Sequence, residues 1–290
     1  MARPGLIDKL PLIGLRLARR LPPVVPVVRL HGVISPASSP VRGASLNLAG
    51  LAASLAAAFR TPRIKAVALA VNSPGGSPVQ SALIHSRIRA LAAEHEVPVY
   101  AFAEDVAASG GYWLALAADE IYADQNSILG SIGVVSSGFG FVGLLDKLGV
   151  ERRLHAQGEN KSLLDPFLPE KAEDVRRLTG IQKDIHLSFK DLVRARRGDR
   201  LAKRKDKQLF SGDVWLGHEA LKLGLIDGIG DMRSVLRDKF GDDVKLKVMG
   251  PRRSWLRRRL AFGSGADSFA WTEGVLAAVE ARALWSRFGL

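Results

Sequence analysis

The chain has 290 residues, 47% of them apolar and 24% charged, enough to bury a large core and too apolar for wholesale disorder. It contains no cysteine, which excludes disulfides and thiolate metal sites and fits a reducing compartment. The net charge of +13 points to nucleic acid, to an anionic membrane surface or to no specific partner. The charge gathers at Lys9, Arg16, Arg19 and Arg20, along Arg200 to Lys207, and at Arg252, Arg253, Arg257, Arg258 and Arg259. These clusters lack the interleaved aromatic residues of a base-stacking surface, so nucleic-acid binding is not expected.

In chain order, Leu6, Leu10, Ile13 and Leu17 fall at helical spacing opposite Arg16 and Arg20, with Pro11 interrupting. Such a segment suits a membrane interface or the domain's own surface equally well. Residues 1–25 form this basic amphipathic segment, 26–240 one domain, and 241–290 a basic tail without a readable fold. The first thirty residues have no continuous apolar core, and the longest uncharged run, Gln125 to Leu145, holds five glycines and four serines. Neither a signal peptide nor a transmembrane helix is therefore expected.

After the prolines at 22, 23 and 26, the stretch 27–34 is predicted to be a strand, and the Ala/Leu-rich stretch 46–59 a helix. Residues 64–72 predict a buried strand, broken by Ser73-Pro74-Gly75-Gly76. A helix follows, with Ser77 as N-cap, Pro78 at its first position, and Leu83, Ile84, Ile88 and Leu91 on its inner face. The pattern recurs with a strand at 97–103, a turn Ala108-Ser109-Gly110-Gly111, a short helix at 112–118 and a strand at 120–123. From 160 to 200 the chain predicts helix, with Leu178, Ile181, Ile185 and Phe189 in phase. Residues 210–231 predict strand–helix–strand. Strands alternating with helices imply an α/β domain with a largely parallel sheet.

Two strand-to-helix turns carry paired glycines, Gly75-Gly76 and Gly110-Gly111. Glycine lets backbone approach a ligand closely, and the unpaired N–H groups of a helix start suit developing negative charge. Two plain tight turns would look the same. Ser109 stands at a strand-to-helix corner, where α/β active sites gather, but it would serve equally as a helix cap. It lacks the Gly-x-Ser-x-Gly elbow, since Val106-Ala107-Ala108 precedes it. None of the six histidines (His31, His85, His95, His155, His186 and His218) has a triad-like setting. A lysine base would have to be desolvated, because a free amine titrates near about 10.4 and is protonated at neutral pH.

Taken in order, several blocks resemble the signal peptide peptidase A (protease IV) family of bacterial serine peptidases. They are Ala66 to Ser77, Val106 to Trp113, Ala118 to Asp124, Ile128 to Val134, Gly158 to Ser162 and Gly224 to Gly228, within a resemblance that runs from Val27 to Asp231. The resemblance implies a crotonase-like/Clp-protease-like ββα superhelix of the α/β class. It implies Ser109 as nucleophile, Lys161 as general base, Ser131 as the residue that orients the lysine, and Gly75, Gly76 and Gly110 as the oxyanion hole. Lys161 follows Ser109 by 52 residues, as in the short, single-repeat members. In those members serine and lysine can come from neighbouring subunits, so a ring-shaped homo-oligomer is implied. The expected substrates are hydrophobic peptides, including remnant signal peptides, against apolar walls from Leu129, Ile132 and Val134. These three residues read equally well as strand core.

No metal or cofactor is expected. A location in the cytoplasm, or at the inner membrane through peripheral contact with anionic lipid, follows from the missing anchor. The alternatives are a crotonase-type acyl-CoA enzyme, which shares the scaffold and the glycine-built hole but would not need Ser109 with Lys161, and a non-catalytic membrane-surface scaffold of the same fold.

Overall fold

A computed structural model describes residues 22–36, 45–201, 206–250 and 282–289. The amphipathic segment at Leu6 to Leu17, and the basic clusters at 9–20 and 252–259, lie outside these residues.

The strand β1 (Val24–His31) leads to the helix α1 (Leu48–Phe59), whose N-cap Asn47 accepts from the Gly50 N–H. Next come β2 (Val67–Ser73), α2 (Pro78–His95), β3 (Val99–Ala108), α3 (Gly110–Ala115), β4 (Glu120–Ala123) and β5 (Ile128–Gly130). An arm then carries α4 (Val142–Leu148), and α5 (Ala172–Arg197) returns the chain to the body. It closes with β6 (Val214–Leu216), α6 (Gly217–Lys222), β7 (Gly228–Ile229), α7 (Met232–Phe240) and β8 (Lys245–Met249).

Among the described residues the strands form one sheet in the order β6-β5-β3-β2-β1-β8, with β4 between β3 and β7. Every pairing is parallel except β5 with β6. Helices on both faces explain why β2 (VALAVNS) is almost uniformly apolar: a strand covered on two sides has no solvent face to alternate with. The larger core lies under α1, α2, α3 and α5, and a smaller one lies under α7. The α/β class and the repeated strand–helix units are those expected of the ββα superhelix.

Three local expectations change. On α2 the buried face is Ser81, Ile84, His85, Ile88, Leu91 and Ala92, whereas Leu83 is exposed. Residues 84, 88 and 91 follow helical spacing, and position 83 lies a helical step of about 100° away from that stripe. On α5 Phe189 is buried as predicted, but Ile181 is 52% exposed because the first half of the helix stands away from the sheet. The segment from 241, assigned to the tail, supplies β8, which pairs with β1 from Val24↔Lys245 to Val28↔Met249. Its alternation of charged and apolar residues is that of an edge strand, which needs only one apolar face.

His85 is buried beneath the end of α3. Burial first, and then the positive charge of Arg196, lower its pKa to about 4; a hydrogen bond to the Leu116 carbonyl opposes them, and Arg89 adds to the lowering. The unfolded chain binds this proton near pH 6.5 while the folded one refuses it until about pH 4. Stability is therefore complete above pH 6.5 and is lost as the pH falls toward 4. Urea denaturation at pH 7.5 and 4.5 should show a loss of about 2.5 kcal/mol from this group. That share should be missing in His85→Gln, and identical pH dependence in both proteins would refute it.

Candidate active site

The strand β3 ends at Ala108, and α3 begins at Gly110, so Ser109 is the hinge between them. Its backbone sits at φ 52° and ψ −120°, on the side of conformational space that an L-residue occupies at a cost. Its side chain makes no capping bond. The helix-cap reading of Ser109 therefore loses its support. The conformation is held from outside: the Ser109 N–H donates to the Gly130 carbonyl at 2.8 Å, and the Ser109 carbonyl accepts from the Trp113 N–H at 3.0 Å. A strained serine at a strand-to-helix turn is the arrangement that pushes a hydroxyl out for attack.

Ser109 opens onto a cavity of about 590 Å³, shared with Pro74, Gly76, Pro78, Ser131, Gly133 and Val134. Thus four of the residues singled out from sequence, Ser109, Ser131, Gly76 and Val134, line one cavity. Ser131 is itself at φ 50°, and its N–H donates to the Asp213 carbonyl at 2.7 Å. His186, Ser211, Gly212, Leu284 and Arg287 also line the cavity and were not singled out from sequence. For His186 the available signal was its helical phase, three residues before the buried Phe189 and seven before the buried Val193.

The glycines divide in role. The Gly75 carbonyl and the Ser77 N–H make the bridge to Ile34, so the Gly76 N–H is not spent on it. A Cβ at Gly76 would lie 2.1 Å from the Ile34 oxygen, which excludes any side chain. The Gly75 N–H instead donates to the Ser73 hydroxyl at 3.2 Å. Gly110 is the first residue of α3, so its N–H has no partner within the helix. A Cβ there would lie 2.6 Å from the Ser81 hydroxyl oxygen. Of the predicted three, Gly76 lines the Ser109 cavity, Gly75 and Gly110 are not among its described lining residues, and the Gly110 N–H has no partner within its helix.

Of the predicted apolar wall, Leu129 and Ile132 are wholly buried in the main core. Their side chains follow the inner face of the sheet, which is the strand-core alternative. Val134, joined by Val135, remains at the cavity.

Lys161 stands apart. It lies on the arm between β5 and α5, in a run of turns where its N–H donates to the Gly158 carbonyl at 3.1 Å. Its side chain is exposed, and it is not among the described residues that line the Ser109 cavity. The arm is tied together by Phe141 stacked on Phe167 and by Arg152 paired with Asp165 at 2.9 Å. Its apolar residues nevertheless face outward, with Phe139 81% and Leu148 65% exposed.

A strained serine facing a cavity at the end of a parallel sheet defines a site of the serine-peptidase class. Residues 92–246 match peptidase family S49, more than half of the chain and including Ser109, Ser131 and Lys161. The chain belongs to that family. A putative signal peptide peptidase SppA of Enterococcus faecium is 31% identical over 211 residues, which cover 70% of this chain and 60% of that one. A Brucella abortus protein named Na(+)/H(+) antiporter NhaA is 51% identical over 301 residues, covering 100% of this chain and 40% of that protein. The chain thus spans less than half of this relative, whose name belongs to the longer protein. Among the described residues no helix is long and apolar enough to cross a membrane. A solved structure of the 1510-N membrane-bound stomatin-specific protease with a substrate peptide is 14% identical, with a TM-score of 0.49 over 83% of this chain and 97% of that one.

Proposed function

We propose that the protein is a serine endopeptidase in which Ser109 attacks the peptide carbonyl and Lys161 of a neighbouring copy takes its proton. The observation that carries this reading is the strained, uncapped Ser109 at the cavity shared with Ser131. Neutral Lys161 would accept the hydroxyl proton, with Ser131 orienting its amine, and then return the proton to the leaving amine. The N–H groups of Gly76 and Gly110 would hold the oxyanion until water releases the acyl group.

The position of Lys161 on an arm with an outward-facing apolar surface supports supply in trans. That surface needs a cover, and a second copy seated on it would bring the lysine to a cavity that has no lysine among its described lining residues. A closed ring satisfies every arm in the same way. The apolar Val134 and Val135 suit hydrophobic peptides, remnant signal peptides among them. The net charge of +13 supports peripheral contact with an anionic membrane surface.

The test is complementation on a hydrophobic peptide. Ser109→Ala and Lys161→Ala should each be inactive and still assemble. Mixed in equal amounts and allowed to exchange subunits, they should recover roughly a quarter of the parent activity, because one site in four then receives an intact serine and an intact lysine. Full activity in either single variant would sink the dyad, and a mixture that stays silent would place both groups in one chain.

A further inference from the structure

The turn that presents Ser131 is built from backbone groups with separate anchors. The Gly130 carbonyl accepts from the Ser109 N–H, the Ser131 N–H donates to Asp213, and the Gly133 N–H closes back on the Ser131 carbonyl at 2.9 Å. The carbonyl between them, that of Ile132, points toward α5, where His186 Nε2 lies 3.0 Å away. A carbonyl can only accept, so Nε2 must carry the hydrogen in this bond. The Ile132 side chain is wholly buried, so the peptide has little freedom to turn its carbonyl elsewhere.

The helix bearing His186 is itself fixed to the nucleophile. Phe189, one turn further along α5, stacks on Trp113 of α3 with ring centroids 4.7 Å apart. Trp113 in turn donates its N–H to the Ser109 carbonyl. The contacts close a circuit from Ser109 through Trp113, Phe189, His186 and Ile132 to Ser131, and back through Gly130 to Ser109.

We infer that His186 is a positioning residue of the active site, holding the Ser131–Gly133 turn in register with Ser109 through its hydrogen bond to the Ile132 carbonyl. This role rests on the serine-peptidase reading of Ser109. His186 acts through Ser131, and its effect falls on the chemical step rather than on peptide binding. A misplacement of the lysine-orienting hydroxyl by a fraction of a bond length is enough to slow proton transfer.

Two variants separate the bond from the bulk of the ring. His186→Leu fills similar space without a donor, and His186→Gln carries an Nε2 donor at comparable reach. In the leucine variant kcat on a hydrophobic peptide should fall roughly 10- to 100-fold, with KM changed by less than about twofold. The glutamine variant should recover most of that loss. Amide hydrogen exchange of the 129–135 segment gives a readout independent of activity. It should quicken about tenfold in His186→Leu and return toward the parent rate in His186→Gln. Unchanged exchange in the leucine variant overturns the tether, and a glutamine variant as slow as the leucine one overturns the role of the hydrogen bond. A parallel Ser109→Ala control decides the peptidase reading separately. Parent-like hydrolysis in that control removes the reading and the catalytic role of His186 with it, while the exchange data still judge the tether.

Discussion

Ser109→Gly is expected to make the protein more stable while abolishing its hydrolysis. The backbone of residue 109 sits at φ 52°, where glycine pays no steric cost and serine does. Relief of that strain is worth about 1 kcal/mol after the extra entropy of an unfolded glycine is subtracted, or about 3 °C in melting temperature for a domain of this size. Ser109→Ala keeps the Cβ and therefore the strain, so its melting temperature should match the parent's to within about 1 °C. Both variants should lose at least about 10⁴-fold in kcat/KM, the scale on which a nucleophile is lost. Thermal melts and a peptide assay on the same preparations check both halves. An active Ser109→Gly protein would remove the nucleophile, and one less stable than Ser109→Ala would show that the strain is not there to relieve.

The second large effect is expected far from the cavity. Arg197, at the end of α5, is 2% exposed; it donates to the Asp227 carboxylate at 2.7 and 3.1 Å and to the Gly224 carbonyl at 2.8 Å. Asp227 also accepts from the Ile121 N–H at 2.8 Å, so the pair joins α5 to β4 and to the loop before β7. Arg197→Met would leave the carboxylate without its closest cation and the Gly224 carbonyl without its donor. Asp227 keeps Arg200 at 3.3 Å and is 15% exposed, so the expected cost is near the lower end of the roughly 3–5 kcal/mol that breaking a buried pair carries. Arg197→Met combined with Asp227→Asn should be less damaging than the sum of the two singles, with a coupling of at least about 1 kcal/mol measured by urea denaturation. Additive losses would mean that the two groups do not act as a pair.

What could be read from sequence depended on how local the cause was. The turns after β2 and β3 are written in neighbouring residues: Ser77 caps α2, Pro78 starts it, and glycines sit where backbones nearly touch. The elements around Ser109 were legible for that reason. By contrast β8 depends on a partner at the opposite end of the chain, and its sequence, Lys-Leu-Lys-Val-Met, looks like a polar tail until β1 is placed beside it. Leu83 and Ile181 mislead in another way, since an apolar residue in helical phase is buried only if something covers it, and the sequence of one helix does not say what does. Lys161 could be singled out only through the resemblance, because nothing local distinguishes it from other exposed lysines. His186 was missed because its function lies in a bond to a main-chain carbonyl 54 residues away.

The late arrival of β8 has a consequence for the order in which the protein is made. β1 is synthesised before both of its neighbours and finds one of them, β2, soon after. Its other side, along Val24 to Val28, stays open until residues 245–249 leave the ribosome. An open apolar edge is a template for pairing with any other nascent chain. Every residue assigned to the chemistry, from Gly75 to His186, has been made by then. β8, the last strand among the described residues, thus acts as a completion mark. A chain cut short before it would hold every residue proposed for the chemistry on a sheet still prone to aggregate, and only a chain that includes β8 has both sides of β1 closed.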